Sequence, residues 1–153
     1  MTWQLELTER LRYYINDLDS SAYKWTDNQL QKFIIIAASH VLTELPRLDV
    51  GYDIHIYNLV FIPDPTSNHA DDFCNLIVLK AACILARAEL KKTAASGGFK
   101  IVDDKSTVDT TGTLSNAKAV SAEYCDAYEG AVKEFERGNQ FSGGAVFGPH
   151  TES

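Results

Sequence analysis

His69, Asp71, Asp72 and Cys74 lie within six positions of one another, and their side chains are all types that bind divalent metals. Their spacing matches no common zinc or iron pattern. Two aspartates in a row are also what the first turn of a helix favours, beside the positive end of its dipole. A second acidic group, Asp103, Asp104 and Asp109, invites a calcium reading. It lacks the alternating carboxylates, central glycine and closing glutamate of an EF-hand loop, so it reads as a solvated hairpin tip. Gly97-Gly98-Phe99-Lys100 follows a helical pattern and no Gly-Lys-Ser/Thr appears, which argues against a phosphate-binding loop. His40, His55 and His150 have no neighbouring nucleophile, and no Gly-x-Ser-x-Gly elbow occurs. The expectation is that the chain is not an enzyme, with no catalytic residue, no metal and no cofactor.

Cys74, Cys83 and Cys125 all fall inside helical patterns, without Cys-x-x-Cys spacing. Three such residues on apolar faces fit reduced thiols packed as small hydrophobes, in a protein that folds in a reducing cytoplasm.

At 153 residues the chain suits one domain with a core of its own. Its hydrophobic fraction of 45% and charged fraction of 23% are those of an ordinary soluble protein. A net charge of −7 argues against an electrostatic hold on nucleic acid. A wall that repels phosphate still lets a duplex slide past. The start, Met1-Thr2-Trp3-Gln4-Leu5-Glu6, lacks the basic and apolar runs of a secretion signal. The most apolar run, from Phe33 to Leu42, is about half the ~20 residues that cross a bilayer, so no membrane association is expected.

Apolar spacing predicts a first helix over Gln4 to Leu18, carrying Leu7, Leu11, Tyr14, Ile15 and Leu18 on one face. A second helix opens at Thr26, with Gln29 placed for a capping box and Trp25 placed to staple onto Leu30. Pro46 ends it. Tyr52 to Ile62 reads as one extended strand or a loose loop. The third helix, His69 to Ala95 with Asn68 as its cap, is apolar on two faces and should be surrounded by protein. One face carries Phe73, Ile77, Ile84 and Ala88, and Gly97 and Gly98 supply the stop. Phe99–Val102 and Thr107–Thr110 suit a hairpin around a four-residue loop. The fourth helix runs from near Thr113 or Ser115 to Arg137 with Gly138 as its stop, and Ala117, Val120, Tyr124, Tyr128, Ala131 and Phe135 form its stripe.

The fold expected is therefore mainly α, a bundle of about four helices with a small β-hairpin or extended insertion. Residues 1–138 form the helical domain and 139–153 a flexible C-terminal tail. Phe141, Val146 and Phe147 stand out in that Gly-rich tail as residues that could order on binding. A lone hairpin is marginal in water and needs a partner surface. That surface could be the subunit's own helices or those of another copy, and among the tyrosines Tyr52 and Tyr57 are the better interface candidates.

The order of "WTDNQLQKFIIIAASHVLTEL", "DDFCNLIVLKAACILARAEL", "GGFKIVDDKSTVDTTG" and "LSNAKAVSAEYCDAYEGAVKEFERG" resembles the helical head-to-tail connector proteins of tailed double-stranded-DNA phages, also called adaptor or head-completion proteins. The likeness covers about Leu7 to Arg137. It implies a structural protein of the virion neck, made in the host cytoplasm, with about a dozen copies in a ring beneath the portal protein. Such a ring extends the DNA channel and offers a platform to the tail or the next neck protein. DNA passes through the lumen without sequence-specific binding. The resemblance further implies that the tail, through Phe141, Val146 and Phe147, docks on the portal, and that Tyr52, Tyr57, Phe99, Ile101 and Val108 face other subunits or the tail. Two alternatives stay open: another phage assembly factor, such as a tail terminator or packaging accessory, and a small cytoplasmic helical ligand-binding domain. Terminators are usually rich in β-structure, so helix content separates them from an adaptor.

Overall fold

The computed structural model describes residues 2–96, 100–103, 106–109 and 111–144. They form a mainly helical protein of four helices, α1 (Trp3–Ile15), α2 (Asp27–Glu44), α3 (Asp71–Ser96) and α4 (Thr111–Gly144). A short 3-10 turn, Pro46–Leu48, follows α2. Two antiparallel hairpins complete it: β1 (Asp53–His55) with β2 (Val60–Ile62), and β3 (Lys100–Asp103) with β4 (Ser106–Asp109).

Each helix is set by local chemistry. At the end of α1, Asn16 takes a left-handed conformation (φ 60°) and its N–H bonds back to the carbonyls of Arg12 and Tyr13. This closes α1 at Ile15, three residues short of the expected Leu18, because asparagine tolerates the left-handed turn that ends a helix. The capping box of α2 is present in full, with the Thr26 side chain accepting from the Gln29 N–H and Gln29 Oε1 accepting from the Thr26 N–H. Trp25 packs edge-on against Phe33, with ring centroids 5.6 Å apart.

Asn68 is not the cap of α3, which begins at Asp71. The approach is a tight turn built on Asp64, whose Oδ1 accepts from the N–H and hydroxyl of Thr66, and His69 sits at φ 54°. Asp64 Oδ2 also accepts from the Trp3 N–H at 2.8 Å, satisfying one of the free donors at the start of α1.

α3 is the central helix and packs against the other three. Leu7 and Leu11 of α1, Leu30, Ile34, Ala38 and Val41 of α2, and Phe73, Ile77, Ala81 and Leu85 of α3 are buried together. This explains why α3 is apolar nearly all round: α1 and α2 take one side and α4 the other. On its outer end Ile84 is only half-buried and Ala88 is exposed, so the expected stripe is correct at Phe73 and Ile77 and fades toward the C-terminus. α4 contributes Cys125 and Tyr128 to the buried set, while Val120 of its expected stripe is 42% exposed.

Three further boundaries differ from the sequence expectation. The Tyr52–Ile62 stretch holds two strands, with Asp53 opposite Ile62, Ile54 opposite Phe61 and His55 opposite Val60. Its turn is made of Ile56, Tyr57, Asn58 and Leu59, an unusual set because three are apolar, and Leu59 at φ 53° supplies the reversal. In the second hairpin Asp103 pairs with Ser106, so the strand pairing runs one position nearer the tip on each side than the expected Phe99–Val102 and Thr107–Thr110. The fourth helix does not stop at Gly138 and continues to Gly144. A glycine ends a helix only when the chain also turns left-handed there.

Candidate functional site

Tyr52 and Tyr57 are five positions apart but occupy opposite environments. Tyr57, in the β1–β2 turn, is 98% exposed, with Ile56 beside it also exposed. Tyr52 is half-buried in an aromatic group with Phe61 at 5.3 Å and Phe73 at 5.1 Å between ring centroids. Trp3 joins the same group through Phe61 at 5.8 Å. Desolvation is the main cause that raises the Tyr52 hydroxyl above its ordinary pKa. Tyr52 therefore braces the base of the hairpin and Tyr57 is presented at its tip.

Along the hairpin, alternation decides which side each residue takes. Ile54 and Phe61 are cross-strand partners, and Phe61 is buried. Asp53, His55 and Ile62 are exposed, and Asp53 Oδ1 lies 2.9 Å from His55 Nε2. In the second hairpin Ile101 and Val108 are partners in the strand register. Phe141 lies in the backbone span of α4. Phe99, Val146 and Phe147 lie outside the described residues. Among the described members of the expected contact set, Ile101 and Val108 are the pair that the backbone register joins.

His69, Asp71, Asp72 and Cys74 do not converge. Among the described residues no group of three or more His, Cys, Asp or Glu side chains could hold a metal ion. Asp71 and Asp72 are exposed at the start of α3, while Cys74 is buried and desolvation pushes its thiol up to about 11.

Two polar groupings were not foreseen from the sequence. Arg12 is 1% exposed, yet its guanidinium donates to Asp17 Oδ2 at 2.7 Å, to the Trp25 carbonyl at 2.8 Å and to Asp27 Oδ1 at 2.6 Å. The Tyr23 ring lies over it, 3.6 Å from the guanidinium carbon to the ring centroid. Asp17 in turn accepts from the Lys24 N–H. One buried cation thus organises the loop between α1 and α2. Among the described residues Thr8 Oγ1 and Arg12 Nε are buried without a hydrogen-bond partner.

The second grouping joins α2, α3 and α4. Glu44 accepts from Lys80 Nζ at 2.8 Å and from the Tyr128 hydroxyl, and Lys80 sits 4.6 Å from the Tyr128 ring centroid. Burial alone would raise the Glu44 carboxyl, but the bonds from Lys80 and Tyr128 outweigh it and hold the group below its ordinary pKa. Tyr128 is pushed strongly upward by desolvation first, and then by its bond to Glu44 and that carboxylate's charge.

The cysteines also differ from expectation. Cys83 and Cys125 form a disulfide between α3 and α4, and Cys74 alone is a free thiol. The two bonded residues are 42 positions apart, on different helices, and no short motif joins them. Beside the far ends of these helices an open groove of about 410 Å³ is bordered by Ile15, Trp25, Leu85, Glu89, Asn116 and Val120. Lys24 and Glu89 form an ion pair at its edge. Tyr13 and Leu18 are exposed on the α1 side, and Tyr14 meets Tyr124 of α4 with centroids 5.3 Å apart.

The geometry consists of paired or buried polar groups and of apolar side chains displayed on hairpin and helix surfaces. No helix among the described residues is long and apolar enough to cross a membrane. No family model, curated protein or solved structure matches this chain.

Proposed function

We propose that this protein is a structural component of a phage neck, an adaptor whose copies form a ring beneath the portal protein and join the DNA-filled head to the tail. The observation that carries the reading is the pair of hairpins on a helical body, one of them displaying Tyr57 almost fully to solvent beside exposed Ile56. A tyrosine held out in this way offers large contact area at small entropy cost, which suits an assembly contact. The order of elements supports the same reading, because β3–β4 stands between the central helix and the last helix, where the resembled connectors carry theirs. The chain's net charge of −7 suits a wall past which DNA must move without sticking. The mainly helical fold weighs against a tail terminator, for which abundant β-structure is the expectation.

The test is association with the portal of the same particle, viewed by negative-stain electron microscopy. Wild-type protein should add a ring of density to the portal. Tyr57→Ser should melt like wild type, since surface changes of this kind shift stability by no more than about 0.5 kcal/mol, and should give sparse or incomplete rings. A wild-type protein that leaves the portal bare would overturn the adaptor reading. Full rings from Tyr57→Ser would remove this hairpin tip from the assembly contact.

A further inference from the structure

The Cys83–Cys125 bond falls where the α3–α4 pair changes character. On the core side of it lie Phe73, Leu76, Ile77, Ala81 and Ala82, all buried, opposite buried Tyr128. On the other side burial drains away within a turn or two. Leu85 and Ala86 are buried, Glu89, Leu90 and Thr93 are half-buried, and Arg87, Ala88, Lys91, Lys92, Ala94 and Ala95 are exposed. The facing stretch of α4 has Thr113, Ser115, Asn116, Lys118, Ala119 and Val120 exposed, Leu114 and Ala117 half-buried and Ser121 buried. Strands β3 and β4 emerge from the ends of these two thinly packed segments.

We propose that the disulfide is a reversible clamp on this arm. Oxidised, it pins the outer halves of α3 and α4 to each other and fixes the base from which β3–β4 extends. Reduced, it leaves the body intact and lets the arm open, because no described residue of α3 beyond position 86 is fully buried and the apolar contact there comes down to half-buried Leu90, Leu114 and Ala117. Local stability follows local burial, and poorly buried segments open in advance of the core.

The chemistry is an ordinary thiol–disulfide exchange. A dithiol reductant attacks one sulfur of the bond with its thiolate, and its second thiol then releases the protein. The reductant leaves as a disulfide, carrying away two electrons fewer, and Cys83 and Cys125 each take up a proton. The reverse step uses a small-molecule disulfide such as oxidised glutathione. Both residues are buried, at 2% exposure for Cys83 and 6% for Cys125, so each exchange waits on a local fluctuation that exposes a sulfur, and the arm opens fully only once the bond is broken. The bond thereby couples the redox state of the surroundings to the opening of the arm. This inference is independent of the neck reading.

Amide hydrogen exchange followed by mass spectrometry tests it on the full chain in two states, one oxidised with glutathione disulfide and one reduced with dithiothreitol. Thiol alkylation counts one free cysteine in the first and three in the second, from the bonded pair and Cys74. On reduction, exchange in 87–96 and 112–120 should rise about tenfold or more, while 30–41 and 73–82 stay protected. The double variant Cys83→Ala/Cys125→Ala should match the reduced state without reductant; if it does not fold, reduced wild type carries the comparison alone. Equal exchange in the two states, an equal rise throughout the core, or three alkylated cysteines after glutathione disulfide treatment would each overturn the clamp.

Discussion

Arg12 is the residue on which the α1–α2 connection depends, and the sequence conceals it. Its partners lie five, thirteen and fifteen positions away across a loop, where helical spacing gives no guidance. A clue exists in hindsight: Leu7, Thr8, Leu11 and Arg12 fall on one arc of α1, which places a cation inside the apolar stripe. Replacing Arg12 with alanine leaves Asp17 nearly buried without its counter-charge. Breaking a buried pair in this way costs about 3 kcal/mol or more, so the variant should melt well below wild type. A melting temperature within one or two degrees of wild type would show the Arg12 network to be dispensable.

Tyr128 makes a second residue-scale case, with a definite pH signature. A tyrosine whose folded-state pKa is raised contributes stability that is whole below its ordinary value of 10.0 and is lost as pH climbs above it. Glu44, held below its ordinary 4.5, works in the opposite sense, and its contribution is lost as pH falls through that region. The melting-temperature advantage of wild type over Tyr128→Phe should therefore be steady from pH 6 to 9 and shrink above the ordinary tyrosine pKa of 10.0. A gap that stays constant through the alkaline range would contradict the Glu44–Lys80–Tyr128 linkage. Sequence patterning placed Tyr128 on a buried stripe correctly, but its polar partners come from two other helices.

At the scale of elements, the helices were legible because apolar spacing and caps act over a few residues. Thr26 with Gln29 shows this best, since the capping box is complete in the folded chain. The hairpins were less legible. Ile56, Tyr57 and Leu59 look like strand residues, so the turn between β1 and β2 was hidden inside an apolar run. The disulfide was illegible for a related reason: pairing across 42 residues is fixed by how α3 and α4 pack, and spacing along the chain carries no trace of it. Gly138 misled because glycine permits a stop without imposing one. Gly130 shows the same permissiveness inside α4, where an added Cβ meets nothing within 4 Å. Gly130→Ala should therefore stabilise the protein by about 0.5–1 kcal/mol, from helix propensity and reduced unfolded-state freedom. A lower melting temperature for that variant would mean that α4 is not a continuous helix through this point.

For the whole molecule, composition and pattern gave the fold class, four helices with a small hairpin, and missed the second hairpin among the described residues. The candidate contact residues were read less evenly. Tyr57 stands in solvent, Tyr52 is mostly packing, and Ile101 with Val108 share a strand register. Exposure follows from tertiary packing, which is why two tyrosines five positions apart could not be told apart from the chain alone. The account's central claim is that this acidic helical protein is a stoichiometric part of the virion neck. Quantitative mass spectrometry of purified particles from its source, comparing its copy number with that of the portal protein, tests this most directly. Equal copy numbers are the predicted result, and particles that contain portal but none of this chain would contradict the account.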